Sequence, residues 1–394
     1  MKRIFCIISL CMMVVALGVS QDLATYTYLY NGAETISDQL SILQQVEKAN
    51  LSDSEEFFVN ALGRLLLEYP ATQVTLERST ADTTARFLAG VLGDKKYTAA
   101  GRNLWRTVEV FSNPLVKADA LLALGKVGAV NYFPHVIQTL QELNERPVPD
   151  REGGERIAYG AILALENYQG ISDEQRKEAA VAVYLAATGW YSDRIQKQAE
   201  ASLAVLAQDP TEPYNSIIQG SSYSYENKYK ALQSLEAGQA STTVKATVAV
   251  TALTEGWRLP TGAAQFRAIL TNIRKLAISM INRYRTEDAS VYSLLERSYR
   301  QGTDTQEKYD AVAALASLGT DEAVGLLSSF LMVMNGKLQS NSVSTDDLQM
   351  TRALISALGA AGNPQGRPAL NVVLSLNWTD AVKRLANDAL SRLR

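Results

Sequence analysis

Imidazole and thiol chemistry have little to work with in this chain: 394 residues contain one histidine, His135, and two cysteines, Cys6 and Cys11. A structural His/Cys zinc centre takes about four such ligands. Both cysteines lie in an N-terminal apolar segment that reads as a cleaved leader, so His135 has no partners for such a centre. Any Ser-His-Asp arrangement would depend on the same residue. Placed just after Pro134 at the expected start of a helix, it reads instead as a packed or surface side chain. The H-E-x-x-H, G-x-S-x-G, P-loop and dinucleotide-binding glycine patterns do not occur. Carboxylates remain, 41 in all, and two at a suitable separation could act as the acid and base of glycoside hydrolysis. No stretch outside the helical pattern is large enough to form a separate catalytic domain. The expectation is a protein that is not an enzyme and carries no metal or cofactor. The alternative is an enzyme or small-ligand carrier with a carboxylate-lined site between repeats.

Aromatic side chains in connecting segments offer a different chemistry, since Trp and Tyr present large contact area with few rotamers to freeze. Trp190 and Tyr191, Tyr223 and Tyr225, and Trp378 sit in short segments at 189–193, 220–225 and 376–380. These are the candidate protein-binding residues. Two longer irregular stretches, 144–155 and 337–347, belong to the same class of connection, which would place all of them on one rim of a stacked array. A Trp just before a helix N-cap such as Asp193 or Asp380 can also staple its turn onto a neighbouring helix. Lys117 and Lys383 occupy equivalent positions and read as part of a solvated or paired ladder that could line a concave face.

What must position these residues is visible as an echo. Val116, Lys117, Ala120, Ala123 and Leu124 return with the same spacing as Val382, Lys383, Ala386, Ala389 and Leu390. Weaker copies occur at Ile157, Ala161 and Leu165, at Ile195, Ala199 and Leu203, at residues 244–253, at Ala311 and Leu315, and at Leu354 and Leu358. Anchors Leu124, Leu165, Leu203, Leu235, Leu315, Leu358 and Leu390 recur at roughly 30 to 45 residues, and the wide step from Leu235 to Leu315 spans two units with a decayed middle copy. Small residues three, four and seven apart form one stripe of a helix and let a neighbouring helix approach closely. Gly128, Gly170, Gly319 and Gly362 follow such stripes, where a left-handed residue ends a helix. Apolar residues at helical spacing then resume, as in 131–143 and 321–334, so each unit is a helix pair.

Residues 116–128 resemble the second helix of a HEAT repeat, and residues 321–334 resemble the first helix of one. The resemblance covers roughly residues 80 to 394 and implies an all-α fold, an α–α superhelix of stacked antiparallel helix pairs. HEAT-like repeats are similar to those of phycobilin lyases, but shared repeats carry no activity with them, and no residue here matches a lyase site.

Met1, Lys2 and Arg3 followed by the apolar run 4–19 and the small residues Gly18 and Ser20 read as a signal peptide, residues 1–20. Cys11 is the less favoured alternative, a lipid anchor, because Leu10 stands where a lipobox wants a small residue. No other segment is long and apolar enough to span a membrane. Residues 21–79 are expected to form a lead-in and capping helices, with Tyr26, Tyr28 and Tyr30 either extended or capping and a helix beginning near Thr35. Residues 80–394 form the HEAT-like array, and the mature chain is expected to be mostly helical and elongated. A net charge of −3 without a basic run gives no sign of nucleic acid. The function expected is that of an exported, periplasmic or secreted, scaffold or adaptor for a protein partner.

Overall fold

A computed structural model describes residues 22–393 apart from 73, 208, 210 and 259–263. The leader expected at 1–20, with Cys6 and Cys11, lies outside the described residues. Among these, twenty α-helices and no strand are present, and they group into two compact units, one ending at Leu206 and the other starting at Ala207.

The first unit consists of helix pairs: α1 (Leu23–Gly32) with α2 (Ile36–Ala49), α3 (Ser54–Glu68) with α4 (Thr75–Asp94), α5 (Gly101–Val110) with α6 (Pro114–Val127), α7 (Phe133–Glu145) with α8 (Arg151–Asn167), and α9 (Asp173–Ala187) with α10 (Asp193–Leu206). The second continues with α11 (Thr211–Gln219) and α12 (Tyr225–Ala237), α13 (Thr242–Gly256) and α14 (Arg267–Tyr284), α15 (Ser290–Gln301) and α16 (Thr305–Leu318), α17 (Asp321–Gln339) and α18 (Thr345–Ala361), and α19 (Arg367–Ser375) and α20 (Asp380–Arg392). Each even-numbered helix packs on its own odd-numbered partner and on the next even-numbered helix within its unit. This is a HEAT-like α-solenoid arrangement of stacked helix pairs.

The sequence echo has a packing cause. Ala123 of α6 lies against Gly93 of α4, where an added Cβ would come within 3.2 Å of the Ala123 Cα, and Ala389 of α20 lies against Gly359 of α18 at 2.9 Å. Backbones approach still more closely between α6 and α8. A Cβ on Gly125 would fall 2.4 Å from the Ala164 carbonyl oxygen, and one on Gly160 would fall 2.4 Å from that of Ala118. Among the described residues Gly128, Gly170, Gly319 and Gly362 are the glycines with left-handed backbones, φ 69°, 75°, 63° and 66°, and follow α6, α8, α16 and α18 as their positions predict.

Several expectations are corrected. Residues 244–253 belong to α13, a first helix, and the decayed second-helix copy between Leu235 and Leu315 is α14. Helix α13 is buried on several sides, at Lys245, Ala246, Val248, Ala249, Val250, Ala252 and Leu253, so its alanine-rich pattern mimics that of the other layer. The alternating tyrosines are helical, not extended: Tyr26 and Tyr30, one turn apart in α1, are buried while Tyr28 is 80% exposed. The irregular stretches shorten to 146–150 and 340–344, because Asp150 and Ser344 cap helices that absorb the charged residues after them. Residues 79 and 80 both lie inside α4.

Candidate functional site

Four of the five aromatic candidates sit in connections from a first to a second helix and Tyr225 opens α12; Tyr191 and Trp378 are turned inward. Tyr191 is 3% exposed and its hydroxyl donates to Asn144 Oδ1 at 2.9 Å. Burial, and after it the charge of Glu155, pushes its phenol well above the ordinary range. Trp190 is half-buried and stacks on Tyr191 at 4.3 Å, with its Nε1 donating to the Leu143 carbonyl at 2.7 Å. Arg151 donates to the Trp190 carbonyl at 2.9 Å and sits over the indole. Trp378 is 4% exposed and donates through Nε1 to Asn335 Oδ1 at 2.8 Å. Tyr191 and Trp378 are therefore not surface anchors; they fasten their turns to the first helix of the preceding pair, α7 and α17. In the second unit Tyr223 lies over Gly220, where a Cβ would come within 2.6 Å of its ring. Tyr225 meets Phe266 edge-on at 5.4 Å. Both are half-buried. The structure brings Trp190 together with Tyr191, and leaves Trp378 apart from the other candidates in its own unit.

A buried ionic cluster in the second unit had no signature in the sequence. Arg274 of α14 and Glu307 of α16, 4% and 0% exposed, form a two-pronged pair at 2.6 and 2.9 Å. Two more guanidinium hydrogens go to the Gly256 carbonyl at 3.0 Å and the Thr271 hydroxyl at 3.1 Å. Trp257 lies between Arg274 and Arg297, 4.2 and 4.5 Å from its ring centre. Lys228 pairs with Glu255 at 2.6 Å nearby. This buried pair, with four of the five guanidinium hydrogens engaged, holds α13, α14 and α16 together.

Two cavities open in the same unit. A cavity of about 640 Å³ is lined by Ala313, Ala316 and Ser317 of α16 and by Ala353, Ser356 and Ala360 of α18, and bounded by Asn282, Tyr309 and Arg285. Arg285 is the one charged residue on its wall. A second cavity, also about 640 Å³, is lined by Thr243, Thr247, Tyr284, Glu287, Asp288 and Thr320, and shares Arg285 and Leu318 with the first.

Arg285 is set apart by its backbone. As the residue ending α14 it takes φ 58° and ψ 159°, a region that side chains avoid at a cost of about 1 to 3 kcal/mol. Its exposed guanidinium has no ion pair among the described residues. The cations around it are committed: Arg283 pairs with Glu236 at 2.8 Å, and Lys245 donates to the Glu236 and Gly238 carbonyls at 2.7 and 2.9 Å and lies over the Tyr284 ring. Asp288 accepts from the Ser290 amide at 2.8 Å at the start of α15, which leaves Glu287 as the freer carboxylate of the second cavity. No group of three or more His, Cys, Asp or Glu suited to a metal ion occurs among the described residues, and no described helix is long and apolar enough to cross a membrane.

No protein-family model matches the chain, and no curated protein does. Among solved structures it is similar to an engineered protein at 13% identity, covering 93% of this chain and 98% of that one, with a TM-score of 0.34. It is also similar to human deoxyhypusine hydroxylase in complex with glycerol at 14% identity, covering 79% of this chain and 98% of that one, with a TM-score of 0.25. The second of these is an enzyme, and the expectation that this chain is not one is withdrawn on that finding.

Proposed function

We propose that the chain is a scaffold for a protein partner, docked in the groove on α14, α16 and α18, with Arg285 receiving a carboxylate of the partner. The observation that carries this is Arg285 itself: a guanidinium without an ion pair, on a strained backbone, at the wall shared by two cavities. Strain of this size persists only where the surroundings impose it, and it concentrates where a side chain must be aimed. The small side chains along the groove leave room for a peptide backbone or a helix, while one cation in a neutral groove supplies orientation and selectivity. Tyr223 and Tyr225, both half-buried in the same unit, are secondary anchors in this proposal. Export to the periplasm or the exterior is part of the same proposal and rests on the composition of residues 1–20.

Arg285→Gly separates the roles. Glycine accepts the backbone without strain, so the variant is expected to melt at or above the wild-type temperature while losing acidic ligands by about tenfold or more. The measurement is binding of the full chain to an array of acidic, neutral and basic peptides beside a melting curve. Equal binding of acidic peptides by wild type and variant would sink the proposal.

A further inference from the structure

In the first unit a surface cluster of rings has no part in the groove. Trp105 stands on α5, Tyr132 in the turn before α7 and His135 in the first turn of α7. Trp105 and Tyr132 are 6.3 Å apart and 23° from parallel, Trp105 and His135 are 5.0 Å apart at 53°, and Tyr132 and His135 are 6.0 Å apart at 48°. His135 is exposed and the other two are half-buried. Tyr132 is supported from beneath, because a Cβ on Gly101 would press on Ala129 at 2.7 Å and lie 3.4 Å from the Tyr132 ring. The Trp105 Nε1 donates to Glu109 Oε1 at 2.8 Å, one turn along the same helix, which fixes that carboxylate at the edge of the indole. By contrast, Trp190, Trp257 and Trp378 all send their indole hydrogens into another helix pair. Arg102, one turn before Trp105, is exposed and has no carboxylate partner among the described residues.

From this geometry we infer that the cluster is a saccharide-binding shelf. The Trp105 and Tyr132 planes lie within 23° of each other, and no two of the rings stand perpendicular as the walls of a box around a quaternary ammonium would. A pyranose has an apolar C–H face that lies on a flat ring, and a rim of hydroxyls that each need a donor or an acceptor. The Trp105 and Tyr132 rings provide the floor; Glu109 accepts, Arg102 donates and His135 can do either. A carboxylate fixed to the indole opposes the phosphates of a nucleotide, which would otherwise be the competing ligand for stacked aromatics.

His135 is the only histidine in the chain, so its ring protons are a unique reporter placed within the shelf. The experiment titrates the full chain with cellohexaose, chitohexaose, maltohexaose and xylohexaose to about 10 mM, ten times a Kd of about 1 mM, and follows the His135 ring signals by NMR. At least one saccharide is expected to move them, and Trp105→Ala is expected to abolish the movement with the melting temperature unchanged. Should that variant fail to fold, Glu109→Gln keeps all three rings and is expected to weaken binding about fivefold or more. The inference is overturned if no saccharide moves the signals, if only a single-stranded oligonucleotide does, or if the folded variants bind as the wild type does.

Discussion

Ala120 and Ala386 hold the same place in the echo, and both have no exposed surface. An aspartate at either position would put an unpaired carboxylate between packed helices, so Ala120→Asp and Ala386→Asp are each expected to cost about 3 to 5 kcal/mol. Lys117 is half-buried and has no carboxylate partner among the described residues, so Lys117→Ala should stay within about 0.5 kcal/mol. Urea unfolding of the three variants checks both halves, and similar losses in all three would mean that the buried face is wrongly assigned. Single residues were unevenly legible. Small side chains at fixed spacing announce close packing, and the four glycines that end helices could be named because only glycine takes that conformation freely. The inward turn of Trp378 could not be read, since a Trp before a helix is compatible with either direction until Asn335 is placed opposite it. Nothing in the sequence marks Arg285: an arginine is no turn residue, and its φ of 58° has no signature in the neighbouring residue types.

Between elements, the joint of α17 and α18 carries a titratable link. Asp347 receives the Lys337 ammonium and closes a capping box with Ser344, whose amide donates to it at 3.0 Å. The hydrogen bond from Lys337, and then that from the Ser344 amide, hold its carboxyl below the usual carboxylate range. A carboxyl depressed in the folded state adds stability above its unfolded value of about 4, and that stability disappears as pH falls through the depressed value. Asp347→Asn should therefore lower the melting temperature at neutral pH, and the gap to wild type should narrow as pH falls through the depressed value, where the wild type loses the same link. Melting curves across that range are the check, and a gap that widens on acidification would contradict it. Helix existence was readable from periodicity in most places, whereas the layer to which a helix belongs was not. The apolar pattern of α13 matches that of a second helix because α13, too, is covered on several sides. The charged ends of 144–155 and 337–347 looked like loop, yet helix caps at Asp150 and Ser344 recruit them into α8 and α18.

For the whole molecule, the mature chain is expected to be helical by circular dichroism and to show the same melting curve with and without chelator or reductant. Its two cysteines fall in the proposed leader, and its one imidazole, His135, lies at the surface. A large shift with chelator would reveal a site made of carboxylates alone. The architecture was legible because repetition multiplies a weak local pattern, while both candidate sites depend on single geometric events that no repeat foretells. One of the contacts that repetition did not predict also bears on mechanics. At Gly125 against Ala164 and Gly160 against Ala118, helices α6 and α8 meet backbone to backbone in two separate places. Two such points act like a pair of dowels, stopping both sliding and swivelling, since any shift drives a carbonyl into a neighbour's Cα. A load applied to this unit would pass through that joint with little stretching.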